Sequence, residues 1–342
     1  MQTTEEFVAK FQPLERPLNW ASQPQRSLVA KSRTTPQRPA PKSAAKATSK
    51  GASTRGGRPA GLFTWAAVGL VIVVVAALVI IKVATGSSSP TSTAFQAADP
   101  ATVSELTTIP ASIFNTVGVS SSVVAVSPPT AVKGQPSLTA TSNGKTLPEV
   151  FYEGGEYCPF CAAQRWTTII ALSRFGTWHN LGDVSSYSGD VYPNTPSFTF
   201  YKATYTSKYL VFKSVEAYAD TIDPATGQYA ILQIPTKAQQ ALVAKYDNAK
   251  YIKGASTGSI PFLSFGNKYF VAGASYTPAA LAGLTRNAIA AGLSSTTSPV
   301  TVAIIASANY QTATICSLTH NQPAKVCDSP GVTAAKTKMG IK

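Results

Sequence analysis

The sequence predicts a mixed α/β domain, a sheet flanked by helices, preceded by one transmembrane helix and a disordered N-terminal tail. Three observations carry this. From residue 147 onward, segments rich in β-branched and aromatic residues alternate with helical patterns. Gly61–Ile81 is a run of 21 residues without a charge. The first 60 residues hold 11 Lys/Arg against three acids, and Arg33–Arg58 has almost no large apolar residue. The chain has 342 residues and is 44% hydrophobic, which excludes a wholly disordered protein. Its four cysteines are too few for a disulfide-dense miniature scaffold, and its two histidines leave little for His-based metal sites or catalysis.

The tail, 1–60, cannot bury enough apolar surface to offset chain entropy. It carries a net charge of +8 out of +14, so the charge describes the tail rather than the folded part, and no specific nucleic-acid partner is expected. Segment 61–82 follows. At ~1.5 Å rise per residue its apolar run is about 31 Å long, the thickness of a bilayer's hydrocarbon core. A buried core helix is rarely apolar on every face for this length, and a cleaved signal peptide would carry neither 60 residues ahead of it nor so long an apolar stretch. Arg58 and Lys82 bracket the span and Trp65 suits the interface. The lipid bilayer is therefore an expected partner. The basic flank precedes the span, which puts the N-terminus in the cytoplasm and the C-terminal domain outside the cell membrane. Residues 83–104 read as a small-residue linker, 105–330 as the extracytoplasmic domain and 331–342 as a flexible tail.

Within the domain, PASIFNTVG after Pro110 reads as a short helix and SPPTAVKGQP as extended or turn-like chain. PEVFY (148–152) reads as a buried strand. Pro159 to about Phe175 reads as a helix ended by Gly176, and 196–216 supplies one or two strands. A short helix is expected over 236–247. FLSF, Gly266-Asn267 and KYFVAG form a hairpin signal. Thr277-Pro278 opens a helix running to Gly292. Ser298-Pro299 opens the last, with Val302, Ile305, Ala306, Ala313 and Cys316 on one face.

The sharpest motif is EYCPFCAAQRW, in which Cys158 and Cys161 stand where a strand hands over to a helix. Unpaired N–H groups and the positive end of the dipole favour an anion at a helix start. A thiolate at Cys158 would be stabilised there, and the thiolate is the nucleophile of disulfide exchange. Pro159 suits the first helical turn. Cys161, one turn on, faces back to resolve a mixed disulfide formed at Cys158. Two other readings stay open: half of a zinc site, for which Cys316 and Cys327 are poorly spaced as the second half, and an inert structural disulfide. Arg165 and the acids Glu153 and Glu156 are expected on solvated surface.

Tyr152–Trp166 resembles the active-site segment of the thioredoxin superfamily, and its Cys-Pro-aromatic-Cys sequence is especially similar to glutaredoxins. That resemblance implies a thioredoxin-like fold with a cis-proline facing the cysteines, which Ile260-Pro261 in GSIPFLSFGNKYF matches in position. It also implies that Tyr157, Ile260 and Pro261 contact substrate, Tyr157 standing where thioredoxins have Trp. Tyr152 departs from the superfamily, which has a buried Asp there. The pieces GGEYCPFCAAQRW, ALSRFGTW, DVYPNTPSFTF, ATYTSKYL, IPFLSFGNKYF, GASYTPAALAGL and ATICSLTHNQPAKVC, spanning about 105–330, resemble an uncharacterised family of membrane-anchored thioredoxin-like proteins from archaea and actinobacteria.

Cys316 and Cys327 would not persist as neighbouring free thiols in an oxidising exterior, so they are expected to form a structural disulfide. A second redox pair exchanging with Cys158 and Cys161 is the alternative. The functional expectation is a membrane-anchored thiol–disulfide oxidoreductase acting on exported protein thiols or disulfides, with an unidentified redox partner and no cofactor or metal. The alternative is a non-catalytic binding module on the same scaffold, with its disulfides structural.

Overall fold

The computed structural model describes residues 95–342. The expected tail (1–60), span (61–82) and first part of the linker lie outside the described residues. Among the described residues no helix is long and apolar enough to cross a membrane.

The fold is a mixed α/β assembly of sheets flanked by helices. Strand β1 (Gln96–Ala97) and helices α1 (Pro100–Thr107) and α2 (Ala111–Val117) come first. The linker expected to reach residue 104 therefore ends sooner. Asp99 caps α1, accepting from the Thr102 backbone N–H at 3.1 Å, Pro100 takes the first helical position, and Thr102 and Leu106 are buried. Composition hid this helix because Leu106 is the one large apolar side chain among its buried residues, with Thr102 as the other.

Strands β2 (Thr130–Ala131), β3 (Thr139–Ser142) and β4 (Lys145–Gly154) lead into α3 (Pro159–Ser173). There follow β5 (Gly176–His179), β6 (Gly182–Ser185), β7 (Pro196–Thr199), β8 (Thr204–Ser207) and β9 (Val211–Glu216). The stretch 196–216 thus gives three strands. A hairpin of β10 (Tyr218–Ile222) and β11 (Tyr229–Ile231) precedes α4 (Lys237–Tyr246), which opens on a reciprocal Thr236/Gln239 cap. Strands β12 (Phe262–Phe265) and β13 (Tyr269–Ala272) are the expected hairpin.

The helix expected over 277–292 is broken. A 3₁₀ turn, Pro278–Leu281, stops before Gly283 at φ +73°, and α5 (Arg286–Gly292) starts afresh on a Thr285 cap. This frees Arg286 to bridge the Ser197 and Val184 carbonyls (2.6 and 2.8 Å) and Asp183 (3.0 Å). Helix α6 (Pro299–Leu318) is buried on all sides from Thr301 to Cys316 rather than along one stripe. Among its polar residues the Asn309 amide donates to the Phe114 and Gly118 carbonyls at the end of α2, at 2.9 and 2.8 Å. Helices α7 (Ala324–Cys327) and α8 (Pro330–Met339) close the chain. The flexible tail expected over 331–342 is therefore mostly helix, held by buried Val332 and Ala335. Gly331 lies so close to α2 that a Cβ there would overlap the Phe114 carbonyl.

The central sheet runs β2-β13-β12-β4-β3, and β9 pairs with β4 along its C-terminal half. That pairing is parallel, Glu149 opposite Val211 through Gly154 opposite Glu216; β12 runs antiparallel, Phe262 opposite Glu153. Alternate residues of β4 serve two cores: Val150 and Tyr152 face the one shared by α3 and α6, and Phe151 joins Tyr246, Ile252, Phe262 and Phe270 on the other side.

Candidate active site

β4 ends at Gly154, the chain turns through Gly155–Tyr157, and Cys158 becomes the N-cap of α3. Cys158 has extended backbone (φ −82°, ψ 123°), Pro159 holds the first helical position, and the Cys161 backbone N–H donates to Cys158 Sγ at 3.4 Å. The sulfur thus stands where an N-cap oxygen would, receiving a donor the helix leaves free.

Across from it the Ile260–Pro261 peptide is cis. The register that pairs Phe262 with Glu153 carries Pro261 to the end of β4, and the Ile260 carbonyl lies 4.0 Å from Cys158 Sγ. Cys158, Cys161, Ile260 and Pro261, four of the five residues expected at the exchange site, are therefore brought together. Both cysteines are free; Cys158 keeps 6% of its surface and Cys161 none. Tyr157 lies beside them, but its ring is stacked on Tyr229 of the β10–β11 hairpin, 3.9 Å between centroids, with Tyr218 edge-on. Phe160, 39% exposed, meets Tyr192 edge-to-face.

The two sulfurs differ electrostatically. Cys158 is held below the usual thiol range, first by the hydrogen bond from the Cys161 thiol, then by the backbone N–H groups of the helix mouth and the Arg165 charge, against the cost of burial. Burial pushes Cys161 well up, and Cys158 adds to this. The opposite shifts favour the thiolate at Cys158 and the protonated thiol at Cys161.

Arg165, expected on a solvated face, is wholly buried one turn beyond Cys161. Its Nε and Nη2 meet the two oxygens of Glu216 on β9 at 2.8 and 2.7 Å, and Nη2 also reaches the Gly155 carbonyl at 2.7 Å. Glu156 is buried as well, and burial raises its carboxyl to about 7. The half-buried Glu153 is raised to about 7 by the same cause. A signal for Arg165 was present: α3 carries one charge in 15 residues and no polar face, so the charge must go inside with a partner.

Cys316 and Cys327 form a disulfide between the last turn of α6 and α7, Cα–Cα 5.6 Å, as expected. With those sulfurs bonded to each other, no second pair of thiolates remains for a zinc quartet with Cys158 and Cys161. Among the described residues no group of three or more His, Cys, Asp or Glu side chains is placed to hold a metal ion.

A family model described as "Domain of unknown function (DUF929)" matches residues 135–317, more than half of the chain. The chain belongs to this family. In this member of the DUF929 family the matched stretch runs from just before β3 through Cys316, and so takes in Cys158, Cys161, Arg165, Glu216 and the cis-proline. It stops before Cys327, leaving α7 and α8 outside. No curated protein matches the chain, and no solved structure does.

Proposed function

We propose that this protein is a thiol–disulfide oxidoreductase of thioredoxin-like architecture, anchored in the cell membrane through 61–82 and acting on exported proteins. The observation that carries the reading is the approach of Cys158 Sγ to the Ile260 carbonyl, 4.0 Å away, beside a cis-proline. Three features support the architecture: a strand leading into a cysteine-capped helix, a parallel neighbour on one side (β9), and an antiparallel hairpin (β12–β13) entered through that proline. The anchor rests on the 21-residue apolar run alone.

In this mechanism the Cys158 thiolate attacks one sulfur of a partner disulfide, releasing the other as a thiol after protonation. Cys161, giving up its proton, then attacks Cys158 Sγ; the Cys158–Cys161 bond forms and the partner's remaining sulfur leaves and is protonated to a thiol. The Ile260 carbonyl, which accepts from the Cys158 thiol, has a second lone pair for a backbone N–H of an extended partner chain, which would hold the partner's sulfur in line with Cys158. The test is trapping. Cys161→Ser should accumulate mixed disulfides through Cys158, and Cys158→Ser should accumulate none. No trapped species, together with no reduction or oxidative refolding of a disulfide-bonded client, removes the proposal.

A further inference from the structure

Solvent does not reach Cys161, and resolution of a mixed disulfide requires that this thiol ionise where it lies. Two groups converge on it. Arg165 stands four residues on along the same face of α3. Tyr152 comes from β4. A Cβ at Gly154 would overlap the Tyr152 hydroxyl and lie 3.0 Å from Cys161 Sγ, so the hydroxyl and the sulfur share the space that the glycine leaves open. The Arg165 Cζ lies 6.0 Å from the centre of the Tyr152 ring.

Tyr152 Oη and Arg165 Nη1 are both buried and both lack a hydrogen-bond partner. The rest of the guanidinium is engaged, Nε and Nη2 by Glu216 and Nη2 by Gly155. Buried donors without acceptors are rare and costly. Tyr152 Oη shares its space with the buried Cys161 thiol and Arg165 stands one helical turn from it, so the two donors can answer an anion that is absent while the thiol is protonated.

We propose, resting on the exchange reading above, that Tyr152 Oη and Arg165 Nη1 form the seat of the Cys161 thiolate and so position it for the second half of the reaction. In the mixed disulfide, Cys161 gives up its proton and its sulfur attacks Cys158 Sγ. The Cys158–Cys161 bond forms and the bond from Cys158 to the partner breaks. The partner's sulfur leaves with the electron pair and takes up one proton, equal to the one Cys161 released. The partner disulfide has then gained two electrons and the cysteine pair has lost them. Tyr152 and Arg165 donate hydrogen bonds throughout and exchange no proton.

The surrounding charges agree with this. Cys158 faces Cys161 from the helix mouth, Tyr152 from β4 and Arg165 from α3. Glu216 on β9 lies across the guanidinium, and Glu156 and Asp220 also act on Arg165 or its carboxylate partner. Burial and Cys158 hold the Cys161 proton on, and Arg165 opposes them. Once Cys158 is tied to a partner its own negative charge is gone and Arg165 remains.

The test is Tyr152→Phe, which removes only a hydroxyl that bonds to nothing. Reduced protein is mixed with the chromogenic disulfide dithiobis(nitrobenzoate), which releases one chromophore on attack by Cys158 and a second on resolution by Cys161. The expected result is an unchanged first phase and a second phase at least about tenfold slower, the factor carried by one hydrogen bond to a charged group. The pH profile of the second phase should move up by about one unit. Thiolate absorbance of Cys161 in a Cys158→Ser background should show the same displacement on adding Tyr152→Phe. A second phase, or a Cys161 titration, that Tyr152→Phe leaves unmoved overturns the proposal. Failure of the exchange reading looks different: the wild type would show no first phase, whereas the Cys161 titration is read without any exchange.

Discussion

Arg165 enters α3 with no access to water, and its charge is matched by one carboxylate. Replacing it with Met removes two ion-pair hydrogen bonds, at 2.8 and 2.7 Å, and a third to the Gly155 carbonyl at 2.7 Å. Glu216 would be left fully buried, keeping only the Phe200 backbone N–H at 3.3 Å on its side-chain oxygens. Breaking a buried pair from one side costs about 3–5 kcal/mol, because the surviving charge is unpaired. That is a large share of the ~5–15 kcal/mol by which a domain is stable. Replacing both partners, Arg165→Met with Glu216→Leu, removes the stranded charge and should recover most of the loss, giving a coupling energy of about 3 kcal/mol. Urea unfolding followed by tryptophan fluorescence measures it, since Trp166 is buried against Phe198 at 4.8 Å. A single Met variant costing under about 1 kcal/mol, or a double variant costing the sum of the singles, would show that the pair contributes nothing a hydrophobic contact could not.

Stability should fall between about pH 4.5 and 7: Glu153, Glu156 and Asp247 are all raised to about 7 by burial, so the folded state holds protons that the unfolded chain releases above its ordinary carboxyl pKa. Glu153→Gln should flatten that slope, and a protein equally stable at pH 5 and 7 would contradict the raised carboxyls. Gly154→Ala drives a methyl into the Tyr152 hydroxyl and should cost about 1–3 kcal/mol, part of it restored by adding Tyr152→Phe; an unchanged melting temperature would refute the close approach. Reducing or replacing Cys316 and Cys327 reopens a loop of sequence separation 11 and should cost about 2–3 kcal/mol by denaturation while leaving exchange at Cys158 intact. The Cys158–Cys161 couple should have a reduction potential above about −300 mV, and a value far below it favours an inert brace.

Much of the site was legible because it is local. A strand, a Cys-x-x-Cys pair and a helix stand in one run of sequence, and Pro261 precedes a hairpin that Gly266-Asn267 announces. What escaped depends on partners distant in the chain. Arg165 and Glu216 are 51 residues apart, and neither sequence environment names the other. Helices α1 and α8 escaped because their buried positions are Thr102, Gly331 and Ala335 as much as Leu106 and Val332, too weak an apolar stripe to stand out from linker composition. The expected 277–292 helix broke because Gly283, at φ +73°, ends one turn before Thr285 starts the next. Nothing in the sequence separates the cis Gln322–Pro323 bond from its trans neighbours.

The alternation of β4 also decides which side of the sheet the neighbouring acids face. Tyr152 projects to the α3 side, toward Cys161 and Arg165, so Glu153, the next residue, projects to the other. There it meets Asp247 at the end of α4, whose carboxyl is raised first by burial and then by the Glu153 charge. Glu153 therefore takes its protons on the face away from the sulfurs, although its carboxyl is poised near neutrality. Glu156 lies past the strand, in the turn, where the alternation no longer applies, and its carboxyl, raised first by burial, also feels the charges of Glu216 and Arg165. If a carboxyl carries the Cys161 proton outward it is Glu156: Glu156→Gln should slow the resolving phase with Tyr152 intact, and Glu153→Gln should leave that phase untouched.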